Sequence, residues 1–276
     1  MKRKKGLLLL GDILGMAMAI LIFVTPFLYM FINSLKTQKE ANQFSFALPE
    51  APQWSNYVEV FKASDYVLIT AFKNSIILTC CSVLGLVLVC SMAGYVVQRR
   101  KDRTIKAVNN LLLVGLIISP AILPTIWILQ GLHIYRTLLG AIFVQIAGSI
   151  PYTTMLYRGF ISTIPQELEE AGYIDGCNPA NMFRKIIFPL LKPITATVVI
   201  LNAVNFFNDF MTPLYFLPGK ENSTVQMTLY NFKGQYSSSY NLLFADALVV
   251  TIPLLIVFIF LNKRIMAGMV AGSVKG

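Results

Sequence analysis

Along the chain, apolar positions fall into long unbroken runs. Six stretches, 6–32, 74–97, 107–132, 138–157, 193–217 and 241–261, each reach the roughly 20 mostly apolar residues a helix needs to cross a bilayer. Their only acids are Asp12, Asp209 and Asp246. Transmembrane β-barrels alternate polar and apolar residues, and these runs do not. Glycine and proline are scattered through them, as membrane helices tolerate. The pattern predicts an all-α, polytopic membrane protein with six transmembrane helices. The first run begins with Lys2, Arg3, Lys4 and Lys5 and contains Ala17-Met18-Ala19, as a secretory signal does. It continues through Phe27, Leu28 and Phe31, beyond the 7–15 residues of a signal core. It is therefore expected to be an uncleaved span.

The basic residues set an orientation. With the N-terminus inside, sixteen of the 23 Lys and Arg face the cytoplasm. Lys2–Lys5, Arg99–Lys106, Arg158 to Lys192 and Lys263 to Lys275 hold them, next to span ends where positive charge governs topology. Both termini are then cytoplasmic. Composition agrees: 56% of the 276 residues are hydrophobic and only 13% charged, against about 25% in soluble domains. That argues against a soluble enzyme or a nucleic-acid binder. The net charge of +10 reads as an orientation signal that also suits an anionic inner leaflet of membrane lipid.

Other chemistry is thin. Cys80, Cys81, Cys90 and Cys177 read as small apolar side chains and one reduced thiol. His133 is a lone histidine with no ligand cluster around it, so no metal site and no catalytic residues are expected. No G-x-x-x-x-G-K-[S/T] phosphate loop occurs. If the protein uses ATP, a partner chain must bind both it and its Mg, and this chain holds no cofactor.

Two regions stand out. The first is the inside segment 158–192. Pro165 suits the first helical position, and Glu167, Glu169 and Glu170 suit the early turns, where the helix dipole favours acids. Asp175-Gly176 should break that helix, and Asn178-Pro179 should cap and start a second one. Small residues at Ala171, Gly172 and Gly176 leave room for another backbone. A solvated amphipathic connector is the plainer alternative. The second region is the fifth run, with Asn202, Asn205, Asn208 and Asp209 spaced along one expected helix face, and Gln145 and Ser149 four apart in the fourth run. Carboxamides and a carboxylate can hydrogen-bond sugar hydroxyls, and Phe206 or Phe207 could stack. Polar residues in spans also act as interhelical glue. Asp12 and Asp246 read as interfacial.

The inside segment resembles the E-A-A-x3-G-x9-I-x-L-P loop of ABC importer permeases. Glu170, Ala171, Gly172, Gly176, Ile186, Phe188 and Pro189 occupy its positions, with Gly172 in place of the second alanine and Phe188 in place of leucine. Pro52 to Phe61, Pro151 to Phe160, Phe207-Asn208-Asp209-Phe210 and the tail Ala267 to Gly276 are similar to the MalG-type, binding-protein-dependent carbohydrate-uptake branch. The resemblance implies the permease subunit of an ATP-binding-cassette importer in a bacterial or archaeal cytoplasmic membrane, translocating a sugar or oligosaccharide. It implies a first helix and outside loop at 1–66 and a permease core at 67–276, ending in a tail at 262–276. It implies that Glu169, Glu170, Ala171, Gly172, Asp175 and Gly176 couple to two cytoplasmic ATPase subunits, and that Ala271, Gly272, Lys275 and Gly276 touch them. It also implies a homologous second permease subunit, as a heterodimer, and an extracellular solute-binding protein. A phosphorylated polyol or modified sugar is the alternative cargo, but no Lys or Arg lies inside the spans to hold a phosphate. An ion-coupled secondary transporter working through Asp209 and Asp246 is the alternative of another class.

Overall fold

The structure is a computed structural model that describes residues 2–118, 120–234, 238–253 and 255–256, with side chains from Asp12 onward. Among the described residues the regular structure is helical, with one isolated antiparallel bridge at Lys233 and Ser238. The chain forms two compact units, Met1–Ile69 with Met227–Pro253, and Thr70–Gln226 with Leu254–Gly276.

The first unit opens with α1 (Lys2–Ser34). Its apolar stretch Asp12–Ser34 is long enough to cross a membrane, and it is unburied up to its last residues, Asn33 and Ser34. Phe23 is 72% exposed, a face suited to lipid or to another apolar surface and not to water. A short α2 (Gln38–Ala41) follows, started by a capping box between Thr37 and Glu40. Lys36 is buried beside it and donates to Asn33 Oδ1 at 3.1 Å, Ser45 O at 2.8 Å and Ser45 Oγ at 3.2 Å. Its desolvation lowers the ammonium pKa, which nearby Glu40 partly offsets. Asn56 Nδ2 donates to the carbonyls of Ser34 and Lys36, and its Oδ1 accepts from Asn241 of helix Tyr240–Pro253. Asp246, expected at an interface, is fully buried and accepts from Thr228 Oγ1 at 2.9 Å. Packing within the unit overrides its position near a span end. Asp12 is exposed.

The second helical run departs from the expected outside loop at 33–66. α3 spans Ser55–Arg99, broken at Ala63–Tyr66, where Ser64, Asp65 and Tyr66 have φ of 51°, 62° and 60°. Three consecutive residues in the left-handed region end any continuous helical ladder.

In the second unit, α3 continues to Arg99 and is followed by α4 (Arg103–Ile117), α5 (Ile122–Gly131) and α6 (Leu138–Ile161). Asp102 Oδ1 caps α4 by accepting from Ile105 N at 3.0 Å. The third run is thus two helices: Pro120, which lacks an N–H, lies in the gap. A Cβ on Gly94 of α3 would stand 2.7 Å from Tyr157 Cβ of α6, so only glycine allows this approach. A core of Leu86, Cys90, Tyr157, Ile161, Met182, Ile187, Leu191 and Val198 joins α3, α6 and the later helices.

The chain then forms α7 (Glu167–Ile174), α8 (Pro179–Leu190, with a π turn at Met182–Ile187), α9 (Lys192–Phe207) and α10 (Met211–Phe216). α8 and α9 meet at a 74° bend beside Pro189 and Pro193. The fifth run is broken again between α9 and α10. Three described helices, Asp12–Ser34, Ser55–Arg99 and Leu138–Ile161, are by themselves long and apolar enough to cross, and the α8–α9 pair reaches that length only if its two bent halves are counted together. At about 1.5 Å per residue, Ile122–Gly131 and Tyr240–Pro253 are too short to cross alone.

Candidate functional site

The segment after α6 folds as a compact helical hairpin. α7 begins at Glu167, two residues after the expected Pro165, and carries Glu167, Glu169 and Glu170 in its first turn. It ends in a Schellman closure. Cys177 N donates to Gly172 O at 2.9 Å and Gly176 N to Tyr173 O at 3.1 Å, with Gly176 at φ +79°. Asn178 Oδ1 then accepts from Asn181 N at 2.8 Å to start α8. Both breaks follow the expected residues.

The acids of α7 divide sharply. Glu169 is buried: Arg99 Nε donates to its Oε1 at 2.6 Å and Tyr95 Oη to its Oε2 at 2.7 Å, while another Arg99 nitrogen donates to Ile164 O at 2.8 Å. Glu169 is therefore tied inside its own chain and presents nothing outward. Glu170, Ala171, Asp175 and Gly176 are exposed. Gly172 is buried, and a Cβ there would stand 2.7 Å from Met182 Cε and from Ile186 Cδ1. The room expected at Gly172 for another backbone is filled by α8 of the same chain. Between the exposed polar residues, Leu168, Tyr173 and Ile174 stand out at 43%, 53% and 86% exposure. Leu168, Ala171 and Ile174, at three-residue steps along α7, are all exposed and fan over about 120° of its uncovered side. That periodicity was available in the sequence, whereas the Arg99–Glu169 pairing across 70 positions was not.

The second locus is a cavity of about 380 Å³ lined by α5, α6, α9 and α10. Gln145, Ser149, Asn205 and Asp209 line it, with Thr212 and Tyr215. Asp209 sits in the break between α9 and α10. It accepts from Thr212 N at 3.0 Å and from Gln145 Nε2 at 3.2 Å. Gln145 Oε1 in turn accepts from Ser82 Oγ at 2.8 Å. A carboxylate has about four lone-pair sites, so this acid keeps acceptor capacity beside open volume, and its partners are neutral. Among the described residues no Lys or Arg lines this cavity. Such a surface can hold hydroxyl groups through paired donors and acceptors.

The expected polar stripe is only partly gathered there. Asn202 is buried and donates to Val198 O of its own helix at 2.9 Å. Asn208 accepts from Gln226 Nε2 at 2.9 Å. Neither lines the cavity. Three-residue steps drift about 60° each around an α-helix, so Asn208 is turned well away from Asn202. Asp209 returns to the cavity because the helix breaks there. Phe206 lines the cavity, but Phe207 does not, and both are largely buried. Tyr215, 38% exposed, is the more accessible ring. Sequence reasoning passed over it with Ser82 and Thr212. Ala271, Gly272, Lys275 and Gly276 lie outside the described residues.

Residues 8–270 match the family described as "Binding-protein-dependent transport system inner membrane component". The chain is 35% identical to the melibiose/raffinose/stachyose import permease protein MelC of Bacillus subtilis (strain 168), over 91% of each chain. It is 34% identical to the multiple sugar-binding transport system permease protein MsmG of Streptococcus mutans, over 92% of this chain and 93% of that one. In fold it is similar to a bacterial ABC transporter involved in the import of the acidic polysaccharide alginate, with a TM-score of 0.80 at 20% identity over 95% of this chain.

Proposed function

Because the chain belongs to the family of binding-protein-dependent transport system inner membrane components, we propose that it is the permease subunit of an ATP-driven importer whose cargo is a neutral sugar or oligosaccharide. The cavity at the α9–α10 break carries this reading: carboxamides, hydroxyls and one carboxylate line it, without a cation. The names of the similar permeases, which import melibiose, raffinose and stachyose or multiple sugars, support the cargo class. The lack of a cationic lining disfavours phosphorylated polyols.

In this reading the chain crosses the cytoplasmic membrane of a bacterium or archaeon six times with both ends inside, and broken helices complete the third and fifth crossings. It pairs with a homologous second permease. It receives cargo from an extracellular solute-binding protein and draws on ATP and Mg held by two cytoplasmic ATPases. The α7–α8 hairpin is the mechanical link. Its exposed Glu170, Ala171, Ile174 and Asp175 face the ATPase, while the Arg99–Glu169 pair fastens it to α3. A stiff hairpin fixed to a spanning helix suits the rigid-body motions that switch access between two sides. The tail residues Ala271, Gly272, Lys275 and Gly276 are proposed to reach the ATPases as well.

The test is uptake and ATPase activity of the assembled transporter in proteoliposomes. Glu170→Lys and Ile174→Ser should insert and assemble normally, yet lose cargo-stimulated hydrolysis and uptake. Normal uptake in either correctly inserted variant would refute the coupling role. Labelled neutral oligosaccharides should be taken up in preference to polyol phosphates, and the reverse preference would overturn the cargo assignment.

A further inference from the structure

A second recess lies in the same unit, at the opposite end of the helices from the α9–α10 break. It holds about 460 Å³ between the end of α3, the first turns of α4 and the last turns of α6. Arg100, Lys101, Lys106 and Arg158 line it, with Gln98 and Asn109. No acid is among its lining residues. Arg158 is aimed by neutral acceptors, donating to Gln98 Oε1 at 3.3 Å and to Asn109 Oδ1. Only Arg100 has a carboxylate partner among the described residues, Asp102 at 3.1 Å on the exposed surface. Lys101, Lys106 and Arg158 are thus convergent cations without a counter-charge. Like charges so close repel, and an anion among them relieves that cost.

The surroundings indicate which anion. The spanning helices Ser55–Arg99 and Leu138–Ile161 both end here, so the recess sits at the depth of phospholipid headgroups. α4 leads away from it with no buried residue. Leu111, Val114 and Ile117 of α4 are 70%, 47% and 84% exposed. A cationic recess at the foot of an uncovered apolar helix matches a molecule with a phosphate head and acyl chains. Basic pockets between membrane helices on the cytoplasmic side hold such headgroups.

We propose that the recess formed by Arg100, Lys101, Lys106 and Arg158 binds the headgroup phosphate of an anionic phospholipid, with the acyl chains along α4. It uses the orientation proposed above but not the cargo or the coupling role, and its test reads no transport.

The assembled transporter is purified in mixed micelles of equal phosphatidylglycerol and phosphatidylcholine, and retained lipid is quantified by mass spectrometry. The unaltered protein should be enriched in phosphatidylglycerol. Lys101→Gln with Lys106→Gln should weaken that enrichment by about fivefold for each lysine removed. Both lysines are exposed, so this variant leaves folding intact where Arg158→Gln could disturb α6. Arg103→Gln, one turn away and outside the recess, should change nothing. Lack of enrichment in the unaltered protein, or an equal loss in Arg103→Gln, would overturn the site. Displacement of the lipid by inorganic phosphate alone would make the occupant a free anion. Enrichment that appears only after the ATPase subunits are stripped away would give the recess to a protein partner and overturn the lipid assignment.

Discussion

Glu169 and Asp209 lie in the same unit and answer the cost of a sheltered carboxylate in opposite ways. Glu169 is closed off, with Arg99 and Tyr95 on its two oxygens and about a tenth of its side chain exposed. Among the described residues Asp209 has neutral partners, Gln145 and the Thr212 N–H, and it faces open volume. A charge paired with a charge fixes two elements together. A charge held by neutral donors keeps part of its field and its acceptor sites for a guest. The first is a fastening and the second a surface for binding, one set in the first turn of α7 and the other in the break between α9 and α10.

The contrast can be broken experimentally. The largest effect should come from Arg99→Ala, which strands the buried Glu169 and should cost about 3–5 kcal/mol, read from denaturant unfolding in detergent. Replacing both partners by apolar residues, Arg99→Met with Glu169→Leu, should recover most of it. A loss below about 1 kcal/mol in Arg99→Ala would show that the pair does not hold the hairpin. Next is the packing beneath the pair. Gly172→Leu should cost about 1–3 kcal/mol by overpacking against Met182 and Ile186. Gly172→Ala should cost less, because the neighbours are flexible side-chain ends and alanine regains up to about 1 kcal/mol of helix propensity.

Asp209→Asn should behave differently, with stability nearly unchanged and apparent cargo affinity about tenfold weaker, or about 1.4 kcal/mol. That is the scale of exchanging a charged for a neutral hydrogen bond. Uptake kinetics over a cargo series would check it, and an unaltered KM would leave Asp209 a structural residue. The smallest effect belongs to Glu40, a half-buried acid outside the spans. Hydrogen bonds from the Thr37 hydroxyl and amide and from the Glu50 amide hold its pKa below the ordinary carboxylate value. Its contribution is therefore present above that value and lost as pH falls through the lowered one. Glu40→Gln should remove a shallow acid-side slope from the pH–stability profile, and an unchanged slope would place that slope elsewhere.

Much of this was legible in the residues. Gly176 had to end α7, since a left-handed residue closes a helix at least cost when it is glycine, and Asn178 had to cap α8. Glu169 and Glu170 were both expected to couple to the ATPase, yet one is buried and the other exposed. Adjacent helical residues point about 100° apart, and only the position of α3 decides which of them meets Arg99. The stripe from Asn202 to Asp209 read as one face of an unbroken helix, and the break at Asn208–Phe210 rearranged it.

The sequence by itself determined what depends on local chemistry: apolar runs long enough for a bilayer, the charge bias across them, the helix caps and stops, and the family loop. Tertiary structure alone decided what depends on distance. It buried Glu169 and Asp246, split the third and fifth runs into shorter helices, filled the space at Gly172 with Met182 and Ile186, and gathered Gln145, Asn205 and Asp209 while excluding Asn202 and Asn208. The physical reason is that propensity and hydropathy act within a few residues. A buried ion pair or a cavity needs groups some 60–70 positions apart to arrive at one place, and packing alone sets that.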